Sequence, residues 1–170
     1  MEKKNTSVFM NALTWGIILG LVSIVYSVIL YMVDQVFNTT LGYLSILITI
    51  AVLVIAVKSY RDNVLEGEIS FGKALGFGVL VTVTAGVLGG IYNYLLYTVI
   101  DPDLQGKLLD FTAERMLEQG VPEGQIDTAL EISKKFMNPV ISTISAIFSS
   151  ALFGTIISLV VAAIFKRESE

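Results

Sequence analysis

The chain has no cysteine and no histidine, only three prolines and one tryptophan, and just 15% of its residues are charged. Without cysteine there is no disulfide, no thiol nucleophile and no thiolate metal site, and without histidine there is no imidazole acid–base chemistry. The shortage of charge excludes more. A soluble domain carries about 25% charged residues on its surface. A 170-residue chain with 54% hydrophobic residues and a mean hydropathy of +0.75 lacks the polar groups to cover itself in water. Its net charge of -4 and pI near 4.8 give no basic surface for nucleic acid. What the sequence has instead is a set of long apolar runs, the mark of a membrane protein.

Four such runs are free of Asp, Glu, Lys and Arg: Val8 to Val33, Leu41 to Val57, Ala74 to Ile100 and Val140 to Phe165. The second has 17 residues and would rise roughly 26 Å as a helix, the lower limit for a hydrocarbon core of about 30 Å. Bilayer thinning, or Lys58 and Tyr60 reaching outward to the interface, would close the gap. The first run follows Lys3 and Lys4 but is too long for a signal peptide and lacks a small-residue cleavage site, so it reads as an uncleaved anchor.

Orientation follows from the basic residues. If the runs alternate, Lys3, Lys4, Lys58, Arg61, Lys73, Lys166 and Arg167 share one side, which the positive-inside rule makes the cytoplasm. Both termini are then cytoplasmic, in a multi-pass membrane protein. Tyr26, Tyr31, Tyr43, Tyr92, Tyr94 and Tyr97 fall toward the outer ends, and Phe9, Trp15, Phe71, Phe77 and Phe165 toward the inner ends, as interfacial aromatic belts would. The charge divides unevenly. The cytoplasmic segments carry seven bases against six acids (Glu2, Asp62, Glu66, Glu68, Glu168, Glu170), Asp34 stands alone outside, and residues 101–138 carry eight acids against four bases.

That 101–138 segment reads as two outer helices. Asp101-Pro102 resembles an N-cap followed by proline at the first helical position, with Leu104, Leu108 and Phe111 at helical spacing and Gly120 as the stop. Val121-Pro122-Glu123 restarts the chain; Ile126, Ala129, Leu130 and Met137 form an apolar stripe opposite Glu123, Asp127 and Glu131. Asn138-Pro139 repeats the cap signal before the last run. So short a hairpin buries little by itself, and its stripes should rest on the bilayer or cap the outer mouth of the bundle. It is a lid, a docking site or simply a solvated linker.

Helices in lipid associate through small residues that let backbones approach. Span three has a row four residues apart: Ala74, Gly78, Thr82, Gly86 and Gly90. Span four has Ser142, Ala146, Ser150, Gly154, Ser158 and Ala162; span one has Ala12, Gly16 and Gly20; span two has only fragments such as Ser45 and Thr49. Spans three and four are expected to pack antiparallel along these rows, unless one row faces another protomer or a partner. The hydroxyls of span four (with Thr143, Ser145, Ser149 and Thr155) could line a polar pathway, but hydroxyls in membrane helices commonly return hydrogen bonds to their own backbone.

Reactive chemistry is scarce. The intramembrane carboxylate that proton-coupled pumps need is missing. Asn93, about ten ångströms from the outer end by helix rise, is the most polar intramembrane residue and could mark a pathway or an interhelical hydrogen bond; Asn11 reads as interfacial. Gly67-Glu68-Ile69-Ser70-Phe71-Gly72-Lys73-Ala74 imitates a phosphate-binding loop, but Ala74 replaces the magnesium-binding hydroxyl, Glu68 repels phosphate and a membrane helix precedes it instead of a strand. It reads better as a turn at Gly67, a cap at Ser70, an interfacial Phe71 and a headgroup contact at Lys73. Asn38-Thr39-Thr40 matches a glycosylation triplet but abuts a span, so Thr39 or Thr40 is expected to cap it. Asp101, Asp103 and Asp110 lack metal-loop spacing. No catalytic, cofactor or metal site is expected.

Three motifs resemble a known family: Gly67-x-Ile69-Ser70-Phe71-Gly72-Lys73-Ala74, the aromatic end Tyr92-Asn93-Tyr94 with Tyr97, and Asp101-Pro102-Asp103. The chain resembles the Bacteroidota four-span membrane family known as domain of unknown function 4199, over nearly its whole length. The resemblance implies a bacterial inner-membrane location and carries over no activity and no functional residues. The expectation is an all-α integral membrane bundle of four transmembrane helices with an extracytoplasmic amphipathic hairpin, acting as a non-enzymatic accessory or scaffold subunit. Its partners would be membrane lipid and a second copy or a membrane protein. The alternative is a small-solute channel or transporter lined by span-four hydroxyls and Asn93; a membrane enzyme using the acids between Asp101 and Glu131 comes third.

Overall fold

The computed structural model describes residues 8–167. Lys3, Lys4, Glu2, Glu168 and Glu170, which enter the charge asymmetry, lie outside them. Six α-helices follow in order: α1 (Val8–Met32), α2 (Thr39–Val64), α3 (Phe71–Leu95), continued by a π-helical turn (Leu96–Ile100), α4 (Leu104–Glu118), α5 (Glu123–Phe136) and α6 (Pro139–Phe165). Among the described residues the only β-type pairing is an isolated bridge between Ile69 and Arg167. Among the described residues four helices are long and apolar enough to cross a membrane: α1, α2, α3 with its π turn, and α6. Their large apolar side chains point mostly outward, among them Ile17, Leu21, Ile29, Leu47, Phe148, Phe153 and Ile164. Such a surface is stable against hydrocarbon and not against water.

The chain forms two compact units, one comprising residues up to 89 and from 147 onward, the other residues 90–146. In the first, α3 is central. Of its most apolar stretch 33% is buried, against 17%, 17% and 22% for the other spans. Leu53, Ala56, Val57 and Tyr60 of α2, Ala74, Phe77 and Val81 of α3, Val161 and Ala162 of α6, and Ala12 and Leu19 of α1 form its core, with Trp15, Phe71 and Phe165 packed against it.

Span two is longer than the uncharged run suggests. Its helix has 26 residues, about 39 Å at ~1.5 Å per residue, because no helix breaker intervenes before Glu66 and Gly67. Tyr60 does not reach outward: it is 2% exposed and stacks on Phe77. Phe77, read from sequence as an interfacial aromatic, is wholly buried. The charged turn that ends α2 is locally neutralised, since Arg61 Nε donates to Asp62 Oδ1 at 2.7 Å.

Two caps also differ from expectation. Asn38, and neither threonine, caps α2: its side-chain oxygen accepts from the N–H groups of Thr40 (3.0 Å) and Leu41 (3.3 Å). An amide reaches the first free N–H groups from the N-cap position just as a hydroxyl would. In the second unit Asp103 holds the N-cap position of α4 without a side-chain cap bond, and Pro102 precedes the helix instead of opening it. The Asp101 carboxylate is engaged by Lys107, whose Nζ lies 2.8 Å away. Asn138 does cap α6, accepting from Val140 N–H at 2.9 Å, and Gly120, with φ of 77°, follows α4 as its stop. The buried apolar residues of this unit are Leu96, Leu104 and Ile126, drawn from the π turn, α4 and α5.

Candidate functional site

The small-residue rows meet one another in a regular register. A Cβ added to Gly78 would lie 2.6 Å from Ser158 Oγ, and one added to Gly86 would lie 2.9 Å from Ser150 Cβ. A Cβ on Gly154 would come within 2.9 Å of Thr82 Cγ2. Each step of four along α3 is matched by a step of four back along α6, as antiparallel helices in backbone contact require. The same register sets Ala74 opposite Ala162, and both are 0% exposed. Gly90, Ser142 and Ala146 belong to the second unit, where Gly90 is buried and the other two are half-buried. The short row of α1 also packs on α3. A Cβ on Gly16 would meet Val81 O at 2.9 Å, and one on Gly20 would meet Leu88 Cδ1 at 2.8 Å. Thr84 is the α3 residue that fills the notch at Gly16, a role that sequence spacing does not signal.

The hydroxyls mostly serve their own helices. Ser150 Oγ donates to Ile147 O (2.8 Å), Thr155 to Ala151 O (2.7 Å) and Thr82 to Val79 O (3.0 Å), while Ser142 Oγ reaches back to Phe136 O at the end of α5 (3.2 Å). The hydroxyl oxygens of Ser158 and Thr143 are buried and have no hydrogen-bond partner.

One cavity of about 430 Å³ reaches all four membrane helices within the first unit. Leu19 and Ser23 of α1, Ser45, Ile46 and Thr49 of α2, Thr82, Ala85 and Gly86 of α3, and Ser150, Phe153, Gly154, Ile156 and Ile157 of α6 contribute to its wall. Ser45 and Thr49 donate to Gly42 O and Ser45 O, so these hydroxyl protons, like those of Thr82 and Ser150, are committed to the backbone. The wall is therefore a hydrocarbon surface with oxygen lone pairs scattered on it. Of the span-four hydroxyls only Ser150 takes part, and Asn93, half-buried in the second unit, does not.

At the charged end of the first unit the loop before α3 clasps the end of α6. Ile69 N–H donates to Arg167 O and Arg167 N–H to Ile69 O, each at 2.9 Å. Arg61 Nη1 donates to Phe165 O at 3.3 Å, and its guanidinium stands 5.8 Å from the Phe165 ring centroid. The glycine-lysine motif is part of this clasp. Gly67 takes φ of 98° at the turn, Ile69 pairs with Arg167, and Ser70 stands before α3 with its hydroxyl 3.5 Å from Lys73 N–H. Among the described residues no cluster of three or more acids could hold a metal ion.

These features define a four-helix membrane-type bundle with a helical hairpin between its third and fourth spans. The family described as Protein of unknown function (DUF4199) matches residues 14–167, and the chain belongs to that family. No curated protein and no solved structure matches it.

Proposed function

We propose that the protein is a non-enzymatic accessory or scaffold subunit of a bacterial inner membrane, with both termini cytoplasmic and the α4–α5 hairpin outside. The observation that carries this reading is that the small-residue faces of α1, α3 and α6 are already filled from within the chain. Contact with a second copy or another membrane protein then falls to the hairpin, whose acids Asp110, Glu114, Glu118, Glu123, Asp127 and Glu131 are all exposed. The orientation is supported by the basic end of the first unit, where Lys58, Arg61, Lys73, Lys166 and Arg167 gather around the Ile69–Arg167 clasp. A photo-crosslinking residue at Asp127, used in native membranes at endogenous expression, should trap one discrete partner or a defined homo-oligomer. A protein that stays monomeric and uncrosslinked would sink the reading.

The cavity favours a second reading, a small-solute channel or transporter. Its committed hydroxyl protons weigh against a hydrated path, because a solute stripped of water needs free donors and acceptors. Flux through reconstituted liposomes tests it: flux lost in Ser150→Leu and Asn93→Leu variants would support the pathway, and unaltered flux would count against it.

A further inference from the structure

Helix α5 has three unlike faces. Ile126, Ala129, Leu130 and Ser133 turn inward; Glu123, Asp127 and Glu131 are exposed; and Ile132 and Phe136, 51% and 61% exposed, form an apolar edge. At about 100° per residue that edge stands roughly 160° around the helix from the acidic face. Phe136 is only three residues ahead of Pro139, the first residue of the membrane helix α6. A chain spans at most about 3.6 Å per residue, so Phe136 is within roughly 11 Å of that start. One headgroup layer is about 5–7.5 Å deep, so even this upper bound keeps Phe136 close to the interface. Beyond Met137, Asn138 and Pro139, exposed apolar side chains resume in α6 at Val140, Ile141 and Ile144. Lys135, exposed in the same turn, stands between the apolar edge and the acidic face, where its long stem can reach anionic headgroups; Lys134, also exposed, lies on the acidic face.

We propose that the Ile132–Phe136 edge of α5 is a lipid-binding edge, seated at the headgroup–acyl boundary, so that the hairpin lies along the bilayer with its acidic face toward water. This goes beyond the scaffold reading and rests only on α6 crossing a membrane.

The cysteine-free sequence allows a clean test. Single nitroxide labels at Ile132→Cys, Phe136→Cys, Glu123→Cys and Asp127→Cys are placed in the full chain, reconstituted in vesicles of phosphatidylglycerol and phosphatidylethanolamine. Collision with oxygen, which partitions into lipid, is compared with collision with a water-soluble nickel complex. Labels at 132 and 136 should favour oxygen, and those at 123 and 127 should favour nickel. Nickel preference at all four positions would overturn the proposal by leaving the hairpin in water. Exclusion of both probes from 132 and 136 would overturn it too, by showing protein against that edge. Neither outcome depends on whether crosslinking at Asp127 finds a partner, so the two proposals fail separately.

Discussion

The Tyr60 ring lies flat on the Phe77 ring, centroids 4.3 Å apart and planes 3° from parallel. This stack joins α2 to the central helix at a point where both side chains are closed to solvent. Truncating Phe77 to alanine should cost about 3–5 kcal/mol through the cavity it leaves. A double-mutant cycle of Tyr60→Leu and Phe77→Leu should leave a coupling of about 0.5–1.5 kcal/mol for the ring pair. Reversible unfolding in mixed micelles reads both, and additivity of the two changes would deny the stack any role of its own.

Close backbone approach between α3 and α6 makes Gly86 sensitive and Gly89 indifferent. A side chain at Gly86 runs into Ser150, whereas one at Gly89 meets nothing within 4 Å. Gly86→Val should lower stability by about 1–3 kcal/mol, the usual cost of overpacking, while Gly89→Val should leave it nearly unchanged. Equal melting temperatures for the two variants would place the α3–α6 contact elsewhere.

Ser158 carries a buried hydroxyl with no partner, pressed against the notch at Gly78. Replacing it with alanine removes an unsatisfied polar group and should raise stability by about 1 kcal/mol. A loss of similar size in Ser158→Ala would mean that the hydroxyl has a partner after all.

Arg61 binds Phe165 O beside the paired backbones of Ile69 and Arg167. In Arg61→Met the end of α6 loses a charge-assisted hydrogen bond and should fray. Amide exchange at residues 163–167 should then quicken by about tenfold, which corresponds to ~1.4 kcal/mol of local opening. The cap of α6 offers a control at the other end of that helix. Asn138→Ala should cost about 1 kcal/mol and leave exchange at 163–167 as it was.

Much of this architecture could be read from one-dimensional pattern. Apolar runs too long for a soluble helix marked the four spans, and spacing of four among Gly78, Thr82 and Gly86, and among Ser150, Gly154 and Ser158, marked the faces that meet. Asn138 and Gly120 marked helix ends because capping and left-handed φ are local requirements. Where the reading erred, a local signal had competitors. Charge at Lys58 and Arg61 suggested the end of span two, yet an unbroken helix carries charged residues past the hydrocarbon boundary. Asp101-Pro102 has the letters of a helix start, but its carboxylate is taken by Lys107 and the helix begins three residues after Asp101.

Composition and periodicity alone determined the membrane class, the number of spans, the small-residue faces and the concentration of acid in one hairpin, since each follows from the solvent around a helix or from neighbours one turn away. Tertiary structure alone decided that Tyr60 and Phe77 stack in the core, that Ile69 pairs with Arg167, and that all four helices share a cavity whose hydroxyl protons are largely committed. Those relationships couple residues far apart in the chain, and only packing of the helices against one another, with every backbone and hydroxyl donor seeking an acceptor out of water, chooses among the many pairings the sequence would allow.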